Sequence, residues 1–578
     1  MPSHRDIAEM LFELANYMEI DGENPYRANA YRRAGQAVEH LKRPLEEIKE
    51  DLQSVAGIGK GTAAVIREII ETGESSLLNE YREKLPKGLM SLLELPGLGP
   101  KSVKTLYKKL NVTNVSELEQ AIRRQQVRTL PGFGAKSEAK LLEAIQRAGT
   151  RPERLPLGHV RPVAEEVLTQ IQSIPEVVQA SLAGSIRRME ETVKDVDIVV
   201  ATEQPDHVAR EVASLPAVEE VVNRGTTKVS VLVAADWLVQ VDVRIVTPEQ
   251  YATALHHFTG SKEHNVRIRQ IAKEKGWKVS EYGVEQLADG RTLTFDEETH
   301  FYNELGLPYI PPELRQGKGE TEVGLEQGLP DLVAEKDIRG DLHVHSQWSD
   351  GHCTIREMAE AAKSKGYEYV AVTDHSRSLV IAGGLSVEDL MKQREEIDRV
   401  NRELDGITVL AGVEVDILPD GRLDYPDDVL EQLDVVIASV HSAFGQDERT
   451  MTKRILRAVE NPYVHVIAHP TGRLLNRRDS YALNLPEIFK RAADTGTVLE
   501  LNANPNRLDL NDRHLRQAVE DYGVTIAINT DAHRAEHLHL ITYGVGTARR
   551  GWLTRHHILN TLTLDKLVKR LKGKNHGS

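Results

Sequence analysis

The sequence predicts a multidomain α and α/β protein, with an all-helical N-terminal region, an α/β middle and a C-terminal (β/α) barrel of seven units. Three observations predict it. The 578 residues exceed what a single core usually organises. Residues 1 to about 150 read as short amphipathic helices such as Asp6 to Met18 and Thr62 to Glu71, with few β-branched runs. Beyond residue 338, short apolar strands ending in polar clusters recur with helices between them: Gly340 to His345, Tyr369 to His375, Thr408 to Glu414, Val435 to His441, Val464 to His469, Val498 to Asn502 and Val524 to Asp531. Between these regions, helix patterns alternate with β-branched segments such as Ile198-Val199-Val200 and Val229 to Val233, as in an α/β domain. The stretch from Pro311 to Asp337 is rich in Gly, Glu and Pro without periodicity and reads as an interdomain linker.

Composition narrows the function classes. Apolar residues make up 40% of the chain. No run approaches the roughly 18 apolar residues of a membrane span, and Met1 to Asp6 lacks a signal-peptide core, so the expectation is a cytoplasmic protein with no membrane partner. Cys353 is the only cysteine, which excludes an internal disulfide and a thiolate cluster. Any metal must therefore sit on His, Asp and Glu. The net charge of −15 argues mildly against nucleic acid, but Lys101 to Lys109 and Arg123 to Arg128 cluster basic residues locally. The 22 histidines crowd into the second half, the first hint of a metal site.

One pattern occurs three times in the helical region: Gly57-Ile58-Gly59, Gly97-Leu98-Gly99 and Gly132-Phe133-Gly134, each opening a helix. Two glycines around one apolar residue make a tight turn that aims backbone N–H groups outward beside the positive end of a helix dipole, where a phosphate oxygen fits whatever the base. A single copy reads as an ordinary helix-turn-helix. Three copies at similar spacing resemble helix-hairpin-helix motifs, which hold DNA without reading its sequence.

Further along, Gly184-Ser185-Ile186-Arg187-Arg188 precedes Asp195-Val196-Asp197 at the head of a strand. Alternation sends Asp195 and Asp197 to one face, and Asp242 on a second predicted strand, Gln240 to Arg244, supplies a third carboxylate. Three carboxylates together suit Mg²⁺ or Mn²⁺ and phosphoryl transfer. Next comes His257-Phe258-Thr259-Gly260-Ser261-Lys262-Glu263-His264-Asn265, leading into a helix with Arg267 and Arg269.

In the C-terminal half His343 and His345 share a strand face, and Asp350, His375, Glu414, His441, His469, Asp531 and His533 follow at successive strand ends. A lone histidine carries little information. Nine donors on the predicted catalytic rim suit about three Zn²⁺ or Mn²⁺ ions with positions open for a phosphate and an attacking hydroxide. Arg549 and Arg550 either meet substrate phosphate or cover the surface.

On these motifs residues 1 to about 315 resemble a family X DNA polymerase of the nucleotidyltransferase group, with palm and thumb, and residues 338 to 578 resemble the polymerase and histidinol phosphatase (PHP) domain, a (β/α)₇ barrel of phosphoesterases. The resemblance implies that Gly184, Ser185 and Arg188 bind the incoming nucleotide's phosphates. It implies that Asp195, Asp197 and Asp242 hold two metals, Asp242 also touching the primer hydroxyl. Phe258, Gly260 and Asn265 match positions that pack on the nucleotide, and Arg269 matches a template-side residue. Tyr31 and Arg32 match the 5′-phosphate-binding helix. Two positions depart: His257 stands where vertebrate members carry Tyr, and Val65 stands where the family often has a Schiff-base lysine.

The implied layout is 1–80 for 5′-phosphate and gap binding, 81–155 for further hairpins, 156–245 palm, 246–315 thumb, 316–337 linker and 338–578 barrel. The implied activity is gap-filling DNA synthesis in repair with a 3′–5′ exonuclease and an abasic-site endonuclease, by a monomer acting on gapped or primed duplex DNA and deoxynucleoside triphosphates. Two other readings stand beside it: a PHP phosphomonoesterase with a non-catalytic DNA-binding half, and a non-catalytic DNA scaffold.

Overall fold

Amphipathic spacing organises the N-terminal region of the computed structural model. The structure describes residues 4–39, 49–86, 88–93, 95, 98–150, 153–234 and 238–575. It divides into two units, Met1–Pro152 and Glu153–Ser578.

In the first unit the helix His4–Asp21 packs on Pro25–Glu39. Its apolar positions Ile7, Leu11, Leu14 and Met18 fall three or four residues apart, and they share one core with Ala34, Val38, Ile66 and Ile69. The helices Lys60–Thr72, Pro100–Leu110 and Ala135–Thr150 each follow a glycine hairpin. Gly57 and Gly132 have φ of +100° and +85°, a left-handed backbone that explains glycine there.

In the second unit, five palm strands, β1 Gln179–Leu182, β2 Val196–Ala201, β3 Val218–Arg224, β4 Lys228–Ala234 and β5 Leu238–Val246, form one sheet. Their order is β1-β2-β5-β4-β3. Only β2 and β5 run parallel, and their register sets Asp197 directly against Asp242. The thumb packs helices Tyr251–Thr259, Lys262–Glu274 and Glu298–Glu304 with a three-stranded antiparallel sheet between residues 277 and 293.

The barrel strands are β6 Gly340–Val344, β7 Tyr369–Val372, β8 Thr408–Asp416, β9 Val435–Ser439, β10 Val466–Ile467, β11 Val498–Asn502 and β12 Ile526–Asn529. All pair in parallel and in chain order. The first and last meet through a bridge between Val344 and Ala532 and a hydrogen bond from the Leu342 amide to Asn529 Oδ1 at 3.2 Å, which brings the sheet nearly to closure. No helix among the described residues is long and apolar enough to cross a membrane.

The stretch from Pro311 to Asp337, expected to be an interdomain linker, packs as a strap. It forms a helix at Glu320–Glu326, and the buried Glu320 pairs with the buried His264 at 2.7 Å. Just before it, Arg315 is fully buried against Glu298 at 2.6 Å. Lack of periodicity misled because these anchors are polar pairs rather than an apolar stripe. Arg549 and Arg550 prove to join the barrel to the palm and thumb: Arg549 pairs with Glu313 at 2.8 Å, and Arg550 donates to the Arg188 carbonyl at 2.8 Å and to Asp512 at 3.1 Å.

Candidate active sites

The palm gathers three carboxylates because strand geometry leaves them no alternative. Asp195 ends the turn into β2, Asp197 follows two residues on, and β5 lays Asp242 beside it. Burial, reinforced by the negative charges of Asp195 and Asp242, pushes the Asp197 carboxyl up to about 7. That stress is what a bound cation would relieve, so the donor set fits divalent metal. Burial would also raise Asp242, but Lys228 and Ser230 more than offset it and hold its carboxyl below the ordinary value. Lys228 Nζ stands 2.8 Å from Asp242 Oδ2 and Gln240 donates to Oδ1 at 3.1 Å. No local pattern marks Lys228 or Gln240 as a partner, although β4 lies next to β5 and places Ser230 opposite Asp242.

Gly184 has φ of +59° and packs so closely on the triad that a Cβ there would lie 2.4 Å from Asp197 Oδ2. It begins the short helix Gly184–Arg187, which carries Ser185. The two arginines that follow have different surroundings. Arg187 is held by Glu298 at 2.6 Å and Thr259 Oγ1 at 2.6 Å, a structural clamp between palm and thumb. Arg188 donates to the Thr259 carbonyl and pairs with Glu190, and its buried Nε has no partner. Gly260, with φ of +68°, lies against Arg188, where a Cβ would be 3.1 Å from Nη1. Asn265 donates to the His257 carbonyl at 2.8 Å while its buried Oδ1 is unpartnered, and Phe258 stacks under Arg244 at 4.8 Å. Arg187 and Arg188 thus both bond Thr259, next to Phe258 and Gly260 in the chain. Arg269 is exposed on the helix Lys262–Glu274.

In the first unit neither Gly59 nor Gly99 offers a side chain to cap the helix that follows it, and at the first of these hairpins the Gly59 amide donates to Thr62 Oγ1 at 2.9 Å. A Cβ at Gly59, Gly99, Gly132 or Gly134 would meet nothing within 4 Å, which leaves these backbones open to close approach. Gly97 lies outside the described residues. Tyr31 is buried in the helical core and Arg32 pairs with Glu19 at 2.6 Å. Val65 is also buried.

The barrel brings all nine expected donors to one end of its strands. His343, His345 and Glu414 converge, as do His375, Glu414 and His441, and His345, Asp350, His375 and His533. Asp531 Oδ1 stands 3.1 Å from His345 Nε2, and His469 Nε2 stands 3.0 Å from Glu414 Oε1. Buried ring nitrogens of His343, His345, His375 and His469 have no hydrogen-bond partner. Orphaned, buried imidazole nitrogens facing carboxylates are the donor chemistry a divalent metal needs. Burial would lower each imidazole, but Glu414 and Asp350 hold His375 up at about 10, whereas burial, backed by the positive charge of His375, takes His345 down to about 3.

A supporting shell orients these rings. Buried Glu500 meets His343 Nδ1 at 2.8 Å and receives the His469 amide at 2.7 Å, and Asp416 meets His441 Nδ1 at 2.8 Å. Neither carboxylate belongs to the nine donors expected from the sequence. Asp416 had a signal, since it lies two residues beyond Glu414 on the same strand face. His469 and Asp531 have φ of +28° and +57°, strain of the kind held at functional sites.

A palm with a three-carboxylate edge joined to a barrel that gathers nine His, Asp and Glu side chains has the donor chemistry of a divalent-metal-dependent enzyme at two separate places. Comparison with known proteins specifies it further. Residues 2–75 match the Helix-hairpin-helix domain, 89–147 the SAM-like Helix-hairpin-helix tandem, 254–316 the DNA polymerase beta thumb and 341–504 the PHP domain. The DNA polymerase/3′-5′ exonuclease PolX of Bacillus subtilis (strain 168) is 47% identical over 568 residues, 98% of this chain and 99% of that protein. A probable phosphatase of Thermoanaerobacter sp. (strain X514) is 29% identical over 40% of this chain and 94% of its own length. One of Syntrophotalea carbinolica is 32% identical over 34% of this chain and 80% of its own length. The chain belongs to the bacterial family X DNA polymerases that carry a C-terminal PHP domain.

Proposed function

We infer that this chain is a DNA polymerase and 3′–5′ exonuclease, adding nucleotides at the palm and removing them at the barrel. The reading is carried by the parallel register that sets Asp197 against Asp242 in a chain that also assembles nine barrel donors. Asp195, Asp197 and Asp242 hold divalent metal at the palm, Mg²⁺ or Mn²⁺, and Asp242 lies against the primer hydroxyl. His343, His345, Asp350, His375, Glu414, His441, His469, Asp531 and His533 hold about three ions in the barrel, and their imidazole-rich set favours Mn²⁺ or Zn²⁺. Bound cations would neutralise the triphosphate at the palm and lower the pKa of a water in the barrel.

The chain's own groups do the rest. Ser185 and Arg188 orient the triphosphate, and the unpartnered Arg188 Nε is a donor in reserve for it. Phe258, Gly260 and Asn265 pack on the nucleotide, and Arg269 meets the template side. Glu500 and Asp416 fix the ring orientation of His343 and His441, keeping the opposite nitrogens directed at the cluster. Gly57, Gly59, Gly97, Gly99, Gly132 and Gly134 hold the DNA backbone, and Tyr31 with Arg32 sits in the helix for a 5′-phosphate. The division into 1–80, 81–155, 156–245, 246–315, 316–337 and 338–578 follows these roles. The substrate is short-gapped duplex DNA met in repair, the working form is a monomer in the cytoplasm, and the barrel also cuts at abasic sites.

Primer extension on DNA with a short gap, with Mg²⁺ or Mn²⁺, tests the reading. Gap filling with nucleotides and 3′ shortening without them are expected; a protein that does neither overturns it. The probable phosphatases among the relatives favour a second reading of the barrel, removal of a 3′-phosphate, which a 3′-phosphorylated primer in the same assay would report.

A further inference from the structure

The barrel loop between His375 and Leu385 holds Val380 at 82% and Ile381 at 96% exposure, the highest of any large apolar side chains among the described residues. The loop is ordered by its own bonds. Ser376 and Leu385 bridge its base, the Leu379 amide donates to the Ser376 carbonyl at 3.2 Å, and the Gly384 and Gly383 amides donate to Leu379 and Val380 at 3.1 Å each. Gly384 has no room for a side chain, since a Cβ would lie 2.0 Å from the Ser376 carbonyl.

Both flanks of the loop are tied to the donor cluster. The Leu385 amide donates to the His375 carbonyl at 2.8 Å, and Ser378 Oγ donates to Asp416 Oδ2 at 2.8 Å, the same carboxylate that meets His441. On the other side a Cβ at Gly383 would lie 3.7 Å from the carbonyl of Ser349, the residue before Asp350. The tip residues Val380 and Ile381 are five and six residues past His375, so even an extended chain would hold them within about 22 Å of that residue. Two aliphatic side chains therefore stand on a hydrogen-bonded loop at the rim of the donor cluster.

We propose that Val380 and Ile381 form a wedge that stacks on and opens the last base pair of a duplex 3′ end, delivering the terminal nucleotide unpaired to the barrel cluster. The inference rests on the nuclease reading above. Asp350, His441 and His533 are partly exposed while His343, His345 and Glu414 are buried, so a phosphate that reaches the inner donors leaves the surface, where a base-paired nucleotide does not follow. Aliphatic side chains inserted at a base step are a known means of unstacking. A protein partner is the weaker occupant, because two side chains fall far short of the roughly 1,600 Å² of a standard interface. A base pair matches their size.

The test uses the full chain with Val380→Ser and Ile381→Ser combined. Both side chains are exposed, so thermal unfolding should match wild type. Degradation of a blunt duplex should fall at least about tenfold while that of the same strand alone changes by less than about twofold. Independently, with chelator present, wild type should brighten 2-aminopurine at the 3′ terminus of the duplex and the variant should not. Equal duplex rates, equal loss on both substrates, or an unchanged 2-aminopurine signal would each overturn the wedge. A wild type that cannot degrade even single strands would overturn the nuclease reading instead, and the fluorescence arm would still decide the wedge.

Discussion

Replacing Glu298 by Gln should loosen the thumb and the nucleotide side of the palm together. Glu298 is buried and takes Arg315 at 2.6 Å on one oxygen and Arg187 at 2.6 Å on the other. Burial alone would raise its carboxyl, yet the two guanidinium groups hold it down from 4.5 to about 2. A depression of that size corresponds to about 3 kcal/mol of stability at neutral pH. The range for breaking a buried ion pair on one side, about 3–5 kcal/mol, agrees. Because the folded value is depressed, the contribution is complete above the unfolded value near 4.5 and is lost as pH falls towards 2. The gap between wild type and Glu298→Gln should therefore be about 3 kcal/mol at pH 7 and narrow to about 2 kcal/mol by pH 3.5. Hydrogen exchange of peptides spanning residues 251–315 across a denaturant series measures it locally. Because Arg187 also holds Thr259, the apparent KM for nucleotide should rise in the variant. Equal exchange in wild type and variant at pH 7 would refute the argument that this pair anchors the thumb.

Two further outcomes follow from the sites. Asp242→Ala removes a proposed metal ligand and leaves Lys228 without its carboxylate, so nucleotide addition should fall by at least about a thousandfold while a mobility-shift assay shows DNA still bound; near-normal extension would contradict the triad. With the buried Val65 at the family's lysine position, borohydride should trap no adduct between residues 1–80 and a 5′-deoxyribose-phosphate end; an adduct mapped there, on Lys60 for example, would contradict it.

Much of this architecture is legible in the sequence because local pattern and tertiary role coincide. The barrel donors end apolar runs that could only be buried strands, so His343, Glu414 and Asp531 announce both the strand and the rim. The palm triad is legible for the same reason, through alternation on Val196–Ala201 and Leu238–Val246. Legibility fails where a residue's partner is distant in the chain. Glu500 is one carboxylate in an apolar strand, and only the fold brings it to His343, 157 residues away. Glu320 sits in a Gly-rich stretch and is anchored by His264, 56 residues away, so a packed strap reads as a linker. Arg549 and Arg550 carry charge that fits substrate phosphate or an intramolecular joint, and only Glu313, Asp512 and the Arg188 carbonyl decide between them.

The central claim is that one chain holds two metal-dependent centres sharing no ligand, and replacing both His343 and His345 by Ala tests it most directly. Strand and helix packing supply most of a large barrel's stability, so the variant should keep its circular dichroism. On one labelled gapped DNA, nucleotide addition should proceed at the wild-type rate while 3′ degradation without nucleotides disappears. Loss of both activities in a folded variant, or 3′ degradation at the wild-type rate, would contradict the account.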